Sequence, residues 1–84
     1  MRRLPRTQRV IGDVLRKARK KQGWSARELS NMLGESHNYI SQLETAKREC
    51  SAAELIAIAR KLKRRPGSML DEVDRIVRRQ GPGT

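Results

Sequence analysis

The sequence has no phenylalanine and only one tryptophan, one tyrosine and one cysteine. Without more aromatic bulk, any core must be aliphatic, with Trp24 plugging one edge. A single thiol, Cys50, excludes an internal disulfide and any zinc centre built on several thiolates, and it suits a reduced cytoplasm. Cys50 could sense redox state, but its position at a helix start without a second thiol argues against that role. No apolar run approaches the length of a membrane span, and no signal-peptide core follows the N-terminal arginines. That stretch is Arg-rich and acid-poor, as transit peptides are, but Val10 onward is better used as a core helix. Paired acid–base groups, a phosphate-cradling glycine loop and a nucleophile with a partner base are all missing, which argues against an enzyme and against a cofactor. The lone His37 has no clustered partner that would make it a metal ligand or a general base. Acids are scarce too. Nine Asp and Glu face 20 Lys and Arg, for a net charge of +11 and a pI near 11.3.

That excess of cations makes a polyanion the first expected partner, and nucleic acid the commonest one. The 84 residues suffice for one small domain. Residues 1–9 carry four arginines and a proline with no apolar periodicity, and read as a flexible basic arm. From Val10 to Lys21 the apolar positions Val10, Ile11, Val14, Leu15 and Ala18 form one helical stripe. Gly23 ends that helix. Ser25 caps the next, with Glu28 completing a capping box. Gly34 stands where the chain needs a positive φ. Ser36 is expected to cap a helix from about His37 to Glu44. A polar loop, TAKREC, leads to a fourth helix, opened by Ser51 and Glu54 in the same box pattern and facing inward through Leu55, Ile58, Ala59 and Leu62. Pro66 suits the first turn of a fifth helix, about 66–79, in which Met69, Leu70 and Val73 can face the core and Ile76 and Val77 continue the stripe. Residues 80–84 read as a disordered tail. Five helices and no strand signal predict an all-α fold, with residues 10–79 as the folded domain.

The stretch SARELSNMLGESHNYISQLE, residues 25–44, is a helix, a glycine turn and a second helix. Leu29 and Leu33 face Ile40 and Leu43 across a small residue, Ser30, at the crossing. This pattern is a helix-turn-helix, whose second helix is free to enter a major groove. With Gly23, Ser25, Glu28-Leu29, Leu33-Gly34, Ile40-Ser41 and Leu43-Glu44 in register, the run from Ile11 to Leu70 resembles the lambda repressor-like (Cro/C1-type) helix-turn-helix regulators. Four positions depart from that pattern. Ala26 replaces a common Gln, Ala46 stands where many members have Gly, Cys50 replaces a frequent Pro, and Lys63-Arg64 replaces Gly followed by an apolar residue.

The resemblance implies that His37, Asn38, Ser41 and Gln42 read bases. Asn and Gln suit this, because each can pair with both N7 and N6 of adenine. Ser25 and Arg27 at the start of the second helix, Tyr39 through its hydroxyl, and Thr45, Lys47 and Arg48 in the following loop are expected to hold phosphates. Such contacts set register without reading sequence. The resemblance also implies a structural ion pair between Arg19 and Glu44. Arg2, Arg3, Arg6 and Arg9 of the arm could follow the backbone or enter a minor groove, or remain a diffusely attractive tail. Ile76 and Val77 continue the apolar stripe beyond what a small domain covers, and so predict a homodimer interface, unless the fifth helix folds back wholly onto its own domain. The leading expectation is a cytoplasmic, nucleoid-associated regulator of double-stranded DNA, a repressor acting as a dimer on a near-palindromic operator. An antitoxin that masks a toxin, a contact with RNA polymerase, and nonspecific nucleic-acid binding are the alternatives.

Overall fold

The computed structural model describes residues 5–81. Arg2 and Arg3 of the expected arm and residues 82–84 of the expected tail lie outside them. The described residues form five helices and no strand: α1 (Arg6–Gln22), α2 (Ala26–Met32), α3 (Tyr39–Glu44), α4 (Ala52–Lys61) and α5 (Pro66–Arg79). Several helix ends have a local cause. The left-handed Gly23 (φ 80°) ends α1. Ser25 and Ser51 open α2 and α4 with complete capping boxes, closed by Glu28 and Glu54. Pro66 occupies the first turn of α5.

The helices surround an aliphatic centre. Leu15, Leu29, Ile40, Leu43, Ile58, Leu62 and Met69 are fully enclosed, and Trp24 lies partly buried at its edge. α1 is the spine, packing against both α3 and α5, while α2 packs on α3 and α4 on α5. Burying such side chains contributes about 1.5–3 kcal/mol each before chain entropy is charged against it.

The structure corrects four expectations. Residues 6–9 are not part of a flexible arm but form the first turn of α1. Their helicity comes from tertiary contacts rather than an apolar stripe. The Gln8 side chain accepts the Cys50 backbone N–H at 3.1 Å, and Arg6 donates to the Gly81 carbonyl at 2.8 Å. Ser36 does not cap α3. The helix begins two residues later than expected, at Tyr39, with Asn38 as its N-cap residue and no side-chain capping bond. Leu70 is 46 % exposed rather than facing the core. Ile76 and Val77, expected as an uncovered strip, are partly buried against the protein's own core.

Two turns adopt left-handed backbone without glycine, at Ala46 (φ 56°) and Lys63 (φ 59°). Both are positions where the resemblance leads one to expect glycine. Each such residue costs roughly 1–2 kcal/mol of local strain. The turns offset it by closing helix ends: the N–H groups of Lys47 and Arg48 return to the Gln42 carbonyl, and that of Arg64 to the Ala59 carbonyl.

Candidate nucleic-acid interface

α3 divides its residues cleanly. Tyr39, Ile40 and Leu43 are buried. Asn38, Ser41, Gln42 and Thr45, at i, i+3, i+4 and i+7, are exposed and with Lys47 line a shallow depression. His37, in the turn just before, is also exposed. Three of the four expected base readers, Asn38, Ser41 and Gln42, therefore share one outward surface, and the fourth, His37, is exposed in the turn before it.

Three devices hold that helix in place. The first is Ser30, wholly buried on α2. Its hydroxyl donates to the Ala26 carbonyl at 2.8 Å and accepts the Ile40 backbone N–H at 3.0 Å. An N–H in the first turn of a helix has no partner within it, so α2 supplies across the gap the acceptor that α3 lacks at its own cap. The second is the ion pair expected from the resemblance. Arg19 grips both carboxylate oxygens of Glu44, at 2.7 and 3.0 Å, and donates a third bond to the Trp24 carbonyl at 2.7 Å. Both side chains are nearly buried, at 11 % and 6 % exposure. The bond to Glu44 pushes the guanidinium pKa further up, against the opposing effect of burial. The third is Gly12, where α1 meets the end of α3 so closely that a Cβ would lie 2.6 Å from the Glu44 carbonyl oxygen.

The expected phosphate contacts fare unequally. Arg27 and Lys47 are exposed, and the Ser25 hydroxyl accepts the Glu28 N–H, leaving its own proton available outward. The Thr45 hydroxyl donates to the Ser41 carbonyl at 2.8 Å, so it turns lone pairs rather than a proton to solvent. Tyr39 is the clearest departure. Its ring is 3 % exposed, and its hydroxyl donates to Glu54 at 2.7 Å. Arg48 lies over that ring, 4.9 Å from its centre, and donates to the same Glu54 oxygen at 2.9 Å. Burial, reinforced by Glu54, pushes the Tyr39 pKa strongly upward. The Ser51 backbone N–H and then the Tyr39 hydroxyl hold the Glu54 carboxyl below its usual range. Glu54 thus ties α4 to the start of α3 and to the loop behind it. Arg6 and Arg9, expected on the arm, sit in the first turn of α1 and are partly buried.

Sequence reasoning missed Gly12 and the reach of Glu54. A glycine inside an otherwise good helix pattern was the available signal for a close backbone approach. Nothing local announces Glu54, whose second task spans 15 residues.

A helix-turn-helix family model matches residues 15–68, well over half of the sequence. The chain belongs to the lambda repressor-like family of helix-turn-helix transcriptional regulators. It is similar to the transcriptional regulator ClgR of Mycobacterium tuberculosis, 45 % identical over 49 residues in each of two strains. That match takes in 58 % of this chain and 44 % of the relative, so it spans less than half of the relative's length. Two crystal structures of the clp gene regulator ClgR from Corynebacterium glutamicum share the fold at 28 % identity. One has a TM-score of 0.76, covering 84 % of this chain and 92 % of that one. The other has a TM-score of 0.81, covering 90 % and 81 %. Among the described residues, no helix is long and apolar enough to cross a membrane.

Proposed function

We propose that this helix-turn-helix regulator binds a specific double-stranded DNA site by inserting α3 into the major groove. His37, Asn38, Ser41 and Gln42 read base edges, while Ser25, Arg27, Lys47 and Arg48 hold the flanking phosphates. The observation that carries this reading is the division of α3 into a polar exposed face and a buried face locked by Ser30, Gly12 and the Arg19–Glu44 pair. A rigidly seated helix can discriminate bases, because a loosely held one loses the geometry of a bidentate contact. The Asn38 amide is free for such a contact, since it makes no capping bond.

Two copies on a near-palindromic operator would place half-sites about 34–36 Å apart. The surface for that pairing is the outer edge of α5. There Leu70 is exposed and Val77, seven residues on, lies beside it in a groove shared with Thr7 and Asp74. Ile76 contributes behind them while also covering the core. Repression by occupying a promoter needs no further domain.

Selection of bound sites from random duplex DNA tests the reading, and a two-fold symmetric motif is the expected product. Gln42→Ala should relax preference at one position per half-site and leave the salt dependence nearly unchanged. Lys47→Ala should weaken all sequences alike and reduce the salt slope by about 0.9. Recovery of no motif from the wild-type protein would overturn sequence-specific recognition.

A further inference from the structure

The cations do not all lie on the face that presents α3. Lys17, Lys20 and Lys21 of α1 line a groove with Arg64, from the connector before α5. The three lysines are exposed. Gln22 donates to the Leu62 carbonyl at 3.1 Å, which fastens the end of α1 to that connector and brings residues more than 40 positions apart onto one rim. One acid, Glu72, lines the groove, and it is paired with Arg64 at 3.0 Å. The groove therefore carries a net excess of positive charge.

Its direction is fixed by helix geometry. Gly12 marks the line along α1 that touches the end of α3. At 3.6 residues per turn, Lys17 and Lys21 lie about 140° and 180° around the axis from Gly12. They point away from the recognition helix. Both therefore lie off the side of α1 that packs against α3, with Lys20 about 80° around the axis between that side and the far one.

We propose that this groove is a second, sequence-independent contact for the phosphate backbone, through which a molecule bound to its site on α3 captures another segment of duplex. The inference rests on α3 being the specific contact. The chemistry favours a phosphate rail over an acidic protein surface. The groove offers lysine ammonium groups, which bind phosphate as hydrated point charges, over a floor of Ala18 and with no aromatic or large aliphatic anchor. Protein interfaces are depleted in lysine and depend on such anchors.

The test immobilises a duplex carrying the selected site, saturates it with protein, and measures retention of a second, labelled duplex of random sequence at low salt. Wild-type protein should retain it, and added salt should release it. A Lys17→Gln/Lys21→Gln variant should bind the immobilised site with less than a threefold change in affinity, yet retain at least fivefold less of the second duplex. The lysines are exposed, so the variant is expected to keep its melting temperature. Failure of the wild-type protein to retain a second duplex, or equal retention by the variant, overturns the proposal. Relaxed base preference for the first duplex on Gln42→Ala, with retention of the second duplex unchanged, reports on α3 alone and keeps the two contacts separable. An excess of an acidic polypeptide, poly-glutamate, serves as competitor. If it displaces the second duplex at a lower charge concentration than random DNA does, the groove prefers carboxylates and the phosphate assignment fails.

Discussion

Gly12→Ala should destabilise the protein, although the same change in most helices does the opposite. Alanine is favoured over glycine inside a helix by about 1 kcal/mol. Here the new methyl would sit 2.6 Å from the Glu44 carbonyl oxygen, 2.7 Å from that of Leu43 and 2.9 Å from the Glu44 carbonyl carbon. All three atoms are backbone, so no side chain can swing aside. The helix end must retreat by several tenths of an ångström, against the Arg19–Glu44 pair that pins it. Overpacking of this kind costs about 1–3 kcal/mol, and a rigid backbone neighbour places it in the upper part of that range. After the propensity gain, the expected net loss is about 1–2 kcal/mol, a fall in Tm of about 5–15 °C for a domain of this size. Gly67 is the internal control. It lies in α5 with negative φ and nothing within 4 Å of an added Cβ. Gly67→Ala should raise Tm by about 4–8 °C, since there the propensity gain of about 1 kcal/mol meets no clash. Thermal unfolding followed by circular dichroism reads both. If Gly12→Ala melts higher than wild type, α1 and α3 do not approach as described. Because the retreat would move the end of α3, DNA affinity should fall in the Gly12 variant below its melting transition and stay unchanged in the Gly67 variant.

Arg19→Ala leaves the nearly buried Glu44 carboxylate unpaired and should cost about 3–5 kcal/mol, whereas an Arg19→Met/Glu44→Leu double variant should recover most of that loss in urea unfolding. Ser30→Ala removes the acceptor of the Ile40 N–H and should cost about 1–3 kcal/mol; faster exchange of that amide hydrogen would identify the lost bond. The depressed Glu54 pKa gives a pH dependence. Its stabilising contribution is complete above the unfolded carboxyl value of about 4.3 and is lost as pH falls through the lower folded value. The urea midpoint should therefore drop from pH 6 to pH 3, and Glu54→Gln should shallow that drop. An equally steep drop in the variant would assign the acid sensitivity to other carboxylates.

Much of this fold was readable because its signals are short-range. Capping boxes at Ser25 and Ser51, the glycine after α1 and the proline opening α5 each act within a few residues, and the apolar stripes of α1 and α4 match the buried positions. The extra first turn of α1 has the opposite character. The first turn of α1 has no apolar stripe and folds because Gln8 and Arg6 reach Cys50 and Gly81, 42 and 75 residues away. No local pattern carries that information. Ile76 and Val77 pack against a core assembled from several helices, which the stripe of α5 alone does not reveal.

The candidate interface was legible to the degree that periodicity decides which way a side chain points. Asn38, Ser41, Gln42 and Thr45 repeat at helical spacing and emerge together on the exposed face. Tyr39 sits between the two faces in that repeat, and its amphipathic ring could satisfy either. The acid at Glu54 decides the matter, since a buried phenol needs a partner for its hydroxyl and finds one 2.7 Å away. Arg48 is drawn to the same carboxylate, so the loop after α3 is already held in the free protein by the acid that anchors Tyr39. A phosphate arriving at Arg48 must compete with Glu54 for the guanidinium or share it. Lys47, with no ion pair to a described acid, faces no such competition. The lysine should accordingly contribute more to DNA affinity than the arginine beside it. Glu54→Gln, by freeing Arg48, should narrow that difference.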